Sequence, residues 1–368
     1  MKLNISLFGL IALFCLAFAA NLSAAFAQND FIKGSGEIVI STSGGTMEAA
    51  QKAAYYEPFT KGTGIRVVLH PGSDKVLVSL ERGDAPEVDI VQLSGDTAAL
   101  YERKHALEKL DYQYFDAETL AGVPQKDRQE FTVGQSTLAM GIAYNEEAVK
   151  SGSVPKNWAE FFDAKEFPGA RAIPACNAGY LVFGAVLETA LMGDGVPADK
   201  LYPLDIDRAF RKLDAVRPNV NVFYASTGEG AQSLIDGRAD FAATFNGRIY
   251  AVRKDGAKVN FQWGQSLVQV GYWGVIKNSP NRENAMKFLA FASRAQQQAA
   301  LSNLMAYGPT NEKAFAYIKP ELKKWLPGSP ENLPNQVQLN YEWWNETGQD
   351  GKSNYERALD RCNRFMVR

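Results

Sequence analysis

Short runs rich in β-branched residues alternate with helix-length segments along most of this chain, and that alternation constrains the fold more than any motif does. "EIVIS" (37–41) reads as a strand and "MEAAQKAAYYEPF" (47–59) as a helix. "IRVVLHP" (65–71) is a second strand, "SDKVLVSLERG" (73–83) a helix closed by Gly83, and "VDIVQL" (88–93) a third strand followed by the helix "DTAALYERKHAL" (96–107). Strands separated by helices predict βαβ units around a parallel sheet, an α/β fold. A second series follows. "WAEFFD" (158–163) starts a helix, "ARAIP" (170–174) is a strand and "YLVFGAVLETALMG" (180–193) a helix. "NVNVFYA" (219–225) and "ADFAATF" (239–245) are strands with the helix "GEGAQSLIDG" (228–237) between them. "IYAVRKDG" (249–256) is another helix, and "VNFQWG" (259–264) begins the next strand. Two series of similar size predict two lobes of the same build, although no repeat shows at the residue level. From 281 onward the pattern is mostly helical.

Residues 1–27 read as a signal peptide. Lys2 supplies the positive start, "ISLFGLIALFCLAFAA" (5–20) the apolar run, and Ala25 and Ala27 the small residues before a cleavage site. Cleavage after Ala27 is expected, leaving a periplasmic chain that starts at Gln28; a retained membrane anchor is the competing reading. Cys15 follows bulky Phe14 inside the apolar run, which argues against a lipid anchor. The remainder is long enough for two domains. Net charge is −2, with both signs scattered, so nothing supplies the basic cluster that nucleic acid or an anionic membrane requires. Cys176 and Cys362 would meet an oxidising compartment. A disulfide between them and two separate buried thiols both fit the sequence.

In open α/β sheets ligands bind beyond the carboxyl ends of the strands. Those ends are 43–46, 71–73, 94–96, 175–180, 224–228 and 245–248. Ser43, Gly44, Gly45 and Thr46 form a Gly-rich strand-to-helix turn that offers backbone N–H and hydroxyl donors. Catalytic residue types are scarce. The chain has two histidines, His70 and His105, neither in a metal-ligand spacing, and no cysteine cluster. His70 ends a strand, and His105 sits in a charged helix. There is no G-x-S-x-G elbow, and "SGGT" lacks the G-K-[ST] of a phosphate loop. An exported α/β chain without a catalytic set predicts a binding protein, neither enzyme nor metal or cofactor carrier.

"PKNWAEFFDAKEFPGARAIP" (155–174) carries a Pro-x-x-Trp…Phe-x-Gly-x-Arg pattern. "TLAMGIAYNEEAV" (137–149), "FNGRIYAVRKDG" (245–256), "GYWGVIKNSPNRENAMKFLAF" (271–291), "YGPTNEKAF" (307–315) and "YEWWNETGQD" (341–350) follow the same scheme. In these stretches and their order, the chain from about residue 36 resembles the periplasmic solute-binding proteins of ATP-binding-cassette importers, family 1, in the spermidine/putrescine branch. The resemblance implies a two-lobed type II fold, each lobe a mainly parallel sheet flanked by helices. Lobe 1 would be 28–142 plus 269–304 and lobe 2 143–268 plus 305–368, the chain crossing near 140–145, 266–272 and 303–308. It further implies hinge closure on a ligand, delivery to a membrane permease driven by a cytoplasmic ATPase, and a monomer.

The ligand expected from the resemblance turns on departures from the polyamine type. Ammonium groups need carboxylates, with rings along the alkyl chain. Where those relatives carry acids, "ACNAGYLVF" (175–183) has none, and their return-strand Asp aligns with Tyr272, next to Trp273. Arg248 is gained after a strand end. It is placed to grip a carboxylate, or else is a helix-start arginine paired with Asp255 or Glu229. Ser94 and Asp96 follow the third strand; Asp96 either meets an ammonium or caps the helix. Tyr224, Phe245, Tyr272, Tyr307 and Trp344 fall where the family lines its cleft with rings, core packing being the other reading. A small zwitterion such as 4-aminobutyrate is the expected ligand. The alternatives are a polyamine held by Asp96, Glu229 or Glu342, a ferric ion on Tyr55–Tyr56, and an exported hydrolase. The tyrosine pair faces two ways on a helix, and no positioned nucleophile and base support the last.

Overall fold

The structure, a computed structural model, describes residues 33–42, 44–71, 75–149 and 154–367. The leader with its cleavage site, and Ser43, lie outside the described residues. β1 (Glu37–Thr42) leads into α1, which runs through Gly45–Gln51, Lys52–Tyr56 and Glu57–Thr63. α1 stops at Gly64, whose φ of 85° is the left-handed cap that glycine takes without strain. β2 (Arg66–Pro71), α2 (Val76–Glu81), β3 (Ile90–Ser94) and α3 (Gly95–Arg103) follow. α3 is shorter than expected. His105 turns at φ 52° and Leu107 bridges to Ile276, so sheet pairing takes the end of the predicted helix.

β4 (Thr132–Asn145) and β8 (Val259–Val275) are 14 and 17 residues long and run antiparallel to each other. Ordinary strands run about five or six. Between them come α4 (Trp158–Phe162), β5 (Arg171–Pro174), α5 (Val186–Gly193), α6 (Ile206–Val216) and β6 (Val220–Tyr224). α7 (Thr227–Ile235), β7 (Phe241–Phe245) and α8 (Asn246–Lys254) complete that series. The single helix expected over 180–193 is broken. Cys176–Phe183 meets α5 at a bend of 72°, with Ala185 at φ 48°. Gly184 allows the bend, since a Cβ there would lie 2.5 Å from the Tyr180 carbonyl. α9 (Arg282–Ala292), α10 (Ala295–Leu304), β9 (Gln336–Gln338), α11 (Tyr341–Asn345) and α12 (Asn354–Met366) end the chain, α12 opening on a Ser353–Glu356 capping box.

The sheet order is β2-β1-β3-β8-β4-β7-β5-β6, with β9 on β8. β1 is parallel to β2 and β3, and β5 is parallel to β6 and β7; the long strands supply the antiparallel pairs. One group of cores sandwiches the β2-β1-β3 side. Ile38, Phe59, Trp273 and Phe288 lie on one face, Val91, Leu93, Tyr101 and Tyr272 on the other. A separate core gathers Trp158, Phe161, Phe210, Phe241 and Trp344. β4 changes core between Val133 and Leu138, and β8 between Leu267 and Val270. A narrow ribbon therefore joins two lobes. In it β9 pairs β8, β8 pairs β4, and Thr137 exchanges backbone hydrogen bonds of 2.7 and 2.8 Å with Gly308 on a third passage.

Cys176 and Cys362 are joined as a disulfide, their Cα atoms 6.0 Å apart. It ties α12 to the turn that follows β5, spanning 186 residues of sequence. Among the described residues no single helix is long and apolar enough to cross a membrane.

Candidate functional site

On the β1–β3 side, the strand ends gather small polar groups. Gly44 and Gly45 take φ 73° and 67°, so their backbone, not crowding, requires glycine. The buried Thr42 hydroxyl braces the turn, donating to Glu48 Oε2 (2.8 Å) and accepting from the Gly44 N–H (3.1 Å). Gly45 and Thr46 are exposed at the helix start, where first-turn N–H groups have no acceptor inside the helix. Beside them an amide network sets the floor. Gln51 and Gln135 both donate to Gln92 Oε1 (2.6 and 3.0 Å), and Gln92 donates to the Ser41 carbonyl (2.8 Å). Gln135 reaches inward because β4 shifts register between Gly134 and Ser136.

Asp96 does not cap α3. Ser94 holds the cap position, and its hydroxyl donates to Asp96 Oδ1 (2.6 Å) while lying 2.9 Å from Thr97 Oγ1. No cation pairs with Asp96 among the described residues. Its carboxylate lies near Tyr341 and Tyr355, whose phenols are raised first by burial and further by that charge. Tyr341 lies so close over Gly95 that a Cβ there would fall 2.1 Å from its ring.

Across the ribbon, β7 ends at Phe245 and hands over to Asn246. The Asn246 amide donates to the carbonyls of Ala306 (2.7 Å) and Trp325 (2.8 Å) and accepts from the Ala139 N–H (2.9 Å). It fastens the strand end to β4 and to the third passage. Gly247 lets the Tyr307 ring approach, a Cβ there falling 2.6 Å from it. Arg248 follows, half-buried, between Tyr307 and Tyr180. Burial raises both phenols and the Arg248 charge pulls them back. Among the described residues Arg248 has neither a hydrogen bond nor an ion pair. Glu229, a partner expected from sequence, instead accepts from the Ala225 N–H (3.1 Å) and faces Arg238 (3.8 Å). Asp255 does not reach Arg248 either. The guanidinium has spare donors beside two hydroxyls.

Four of the five expected ring positions are buried in the structure. Tyr224 is fully buried, its hydroxyl on the Ala243 carbonyl (2.7 Å). Phe245 is buried and packs 4.5 Å from Phe183. Tyr272 lies in the core behind β3 and β8. Trp344 is buried with Nε1 donating to Glu188 (2.9 Å). Rings near a cleft and rings under it share one sequence signature, since both follow strand ends. Tyr307 alone stays half-buried next to a free charge. Sequence reasoning gave no separate role to Tyr180, itself buried, to Phe183 or to Gln269, whose amide donates to the Phe183 carbonyl across the ribbon. The two rings lie in "ACNAGYLVF" (175–183), and Gln269 lies on β8.

Tyr55 and Tyr56 also belong to the core. Tyr55 packs edge-on to Trp273 (6.2 Å) and the Tyr56 hydroxyl donates to Gln51 (2.8 Å). Burial pushes both phenols well above their ordinary range, against the ionised form that iron requires.

Residues 54–327 match the family described as bacterial extracellular solute-binding protein. The gamma-aminobutyric acid-binding protein of Pseudomonas aeruginosa is 33% identical over 356 residues, 93% of this chain and 94% of that protein. The solved Atu4243-GABA receptor superposes with a TM-score of 0.79 at 32% identity, over 89% of this chain and 97% of that one. The spermidine/putrescine-binding periplasmic protein of Escherichia coli is 22% identical over 304 residues, 79% of this chain and 83% of that protein.

Proposed function

The chain belongs to the bacterial extracellular solute-binding proteins of ATP-binding-cassette importers, and on that premise we propose that its cleft captures a small ω-amino acid, 4-aminobutyrate first among them. The observation that carries this reading is Arg248, half-buried at a strand end with unused donors and no carboxylate of its own among the described residues. A bidentate guanidinium–carboxylate pair is among the strongest polar contacts available to such a ligand. Tyr180 and Tyr307 flank it, and Gly45 and Thr46 offer donors from the facing lobe, where Ser94 holds Asp96 in place. Asp96 supplies a carboxylate there for the ammonium end.

A zwitterion that meets Arg248 on one lobe and Asp96 on the other gains both contacts only when the lobes approach. Its affinity for the closed form then exceeds that for the open form, and this difference is what drives closure. The lobes are those divided by the ribbon, 28–142 with 269–304 and 143–268 with 305–368. The mature protein is a periplasmic monomer starting at Gln28. It catalyses nothing and presents its closed form to a membrane permease served by a cytoplasmic ATPase. The gamma-aminobutyric acid-binding relative at 33% identity supports this ligand class over the polyamine class, whose relative stands at 22%.

Thermal unfolding of residues 28–368 with 4-aminobutyrate, α-amino acids, putrescine and spermidine tests the proposal. A ligand at a hundred times its Kd adds about 2.7 kcal/mol of stability. Stabilisation by 4-aminobutyrate with silent polyamines is the expected result; stabilisation by polyamines alone would overturn it.

A further inference from the structure

We propose that a cavity behind the interlobe ribbon is a second ligand site, for a small protonated amine. The cavity measures about 380 Å³. It takes walls from the first lobe, from all three passages of the chain and from the C-terminal segment; Asp127, Thr137, Val270, Glu312, Phe315 and Gln336 line it. It opens on the Val268–Val270 side of β8. Gln269, which reaches Phe183 in the candidate cleft, projects from the opposite side, because successive side chains of a strand alternate. The two sites are therefore separate.

Lys126 lines the cavity as well, and three polar groups on it lack hydrogen-bond partners among the described residues. Asp127 is only 5% exposed, and no hydrogen-bond donor reaches its carboxylate among the described residues. Burial raises its pKa to about 6, Lys126 opposing the shift and Glu312 adding to it. Thr137 Oγ1 and Gln336 Nε2 are buried without a partner. Buried polar groups are nearly always satisfied, and a carboxylate left bare is the costliest to bury. An ammonium group answers this set. Its N–H donors satisfy Asp127 and the Thr137 oxygen, and its carbon chain lies against Val270 and the Phe315 ring. A hydroxyl at the far end of the ligand would accept from Gln336. Because the walls belong to both lobes, the fit changes with the hinge angle. Amine occupancy and cleft closure therefore bias one another.

The test is calorimetric titration of mature chain 28–368 with 3-aminopropan-1-ol, with propane-1,3-diol as the uncharged control. Saturable binding of the amine and none of the diol is expected. Asp127→Asn, which keeps the shape and removes the charge, should weaken binding at least tenfold. Thr137→Val should weaken it severalfold while leaving the protein folded, since the lost hydroxyl had no partner. Asp96→Asn, which removes the cleft's carboxylate, should leave it unchanged. No binding at tens of millimolar, or binding that survives Asp127→Asn, would overturn the proposal. So would loss in Asp96→Asn, which would place the amine in the cleft.

Discussion

Two arginines at opposite ends of the second lobe show how the same side chain serves a fold or a ligand. Arg171 opens β5 and is 1% exposed. Its guanidinium donates to the carbonyls of Phe161 (3.1 Å), Gly169 (2.5 Å), Asp163 (3.3 Å) and Phe167, and lies 5.3 Å over the Phe241 ring. Those carbonyls belong to the loop leading into the sheet, so Arg171 closes that loop. Arg248 stands just beyond the carboxyl end of β7 in the same lobe, half-buried, with no acceptor on its donors among the described residues. A saturated guanidinium has no capacity left for a solute. An unsaturated one, partly desolvated between two tyrosines, gains from any carboxylate that arrives.

The comparison breaks most visibly at Arg171. Arg171→Leu strips donors from the buried Phe161 carbonyl and from those of Asp163, Phe167 and Gly169, and should cost about 3 kcal/mol, given the lost bonds of a buried guanidinium. Urea unfolding would register the loss, and whatever protein folds should bind its solute normally. Arg248→Met should do the reverse. Unliganded stability should stay within about 0.5 kcal/mol, while affinity falls by about 3 kcal/mol, roughly a hundredfold. If Arg248→Met lowers stability and spares affinity, the two arginines are alike and the zwitterion reading fails.

Glu188 stands between these extremes and sharpens the contrast by pH. It is fully buried on α5. Oε1 accepts from the Tyr202 hydroxyl (2.7 Å) and Trp344 Nε1 (2.9 Å), and Oε2 has no partner. Burial raises its pKa from 4.5 to about 7, the two donors only partly opposing. Between pH 4.5 and 7 the folded protein thus holds a proton that the unfolded chain releases, so stability falls as pH rises through that window and levels off above it. The drop attributable to this group should be on the order of 3 kcal/mol. Glu188→Gln should flatten that part of a stability–pH curve; an unchanged slope would show that the carboxyl is ionised throughout.

Much of the fold was legible because strand and helix periodicities are local. β1, β2, β5, β6 and β7 fall within a residue or two of their expected runs. The exceptions are where distant packing decides. "KHAL" leaves its helix because Leu107 pairs with Ile276, and the 180–193 helix bends where Gly184 meets the Tyr180 carbonyl. The site was legible in part for the same reason. A strand end can be counted, so the positions of Arg248 and Asp96 beyond β7 and β3 were readable. Whether a side chain is already satisfied depends on partners far along the chain, such as Glu188 receiving the Trp344 N–H. That is why Tyr224 and Trp344 read like cleft rings and Tyr180 did not.

The two-arginine contrast should repeat in miniature at two tyrosines whose rings lie 5.7 Å apart, edge to face. The Tyr224 hydroxyl is spent on the Ala243 carbonyl in a fully buried setting. The Tyr180 hydroxyl lies by Thr227 within reach of the Arg248 charge. Tyr224→Phe should cost about 1 kcal/mol of stability, the worth of one neutral hydrogen bond, and leave affinity alone. Tyr180→Phe should leave unliganded stability alone and weaken solute binding by about 1 kcal/mol, roughly fivefold. The pair isolates one oxygen atom at each position, with the ring and its packing retained. Equal losses of stability at both would mean that Tyr180 supports the turn after β5 and that Arg248 holds its carboxylate without it.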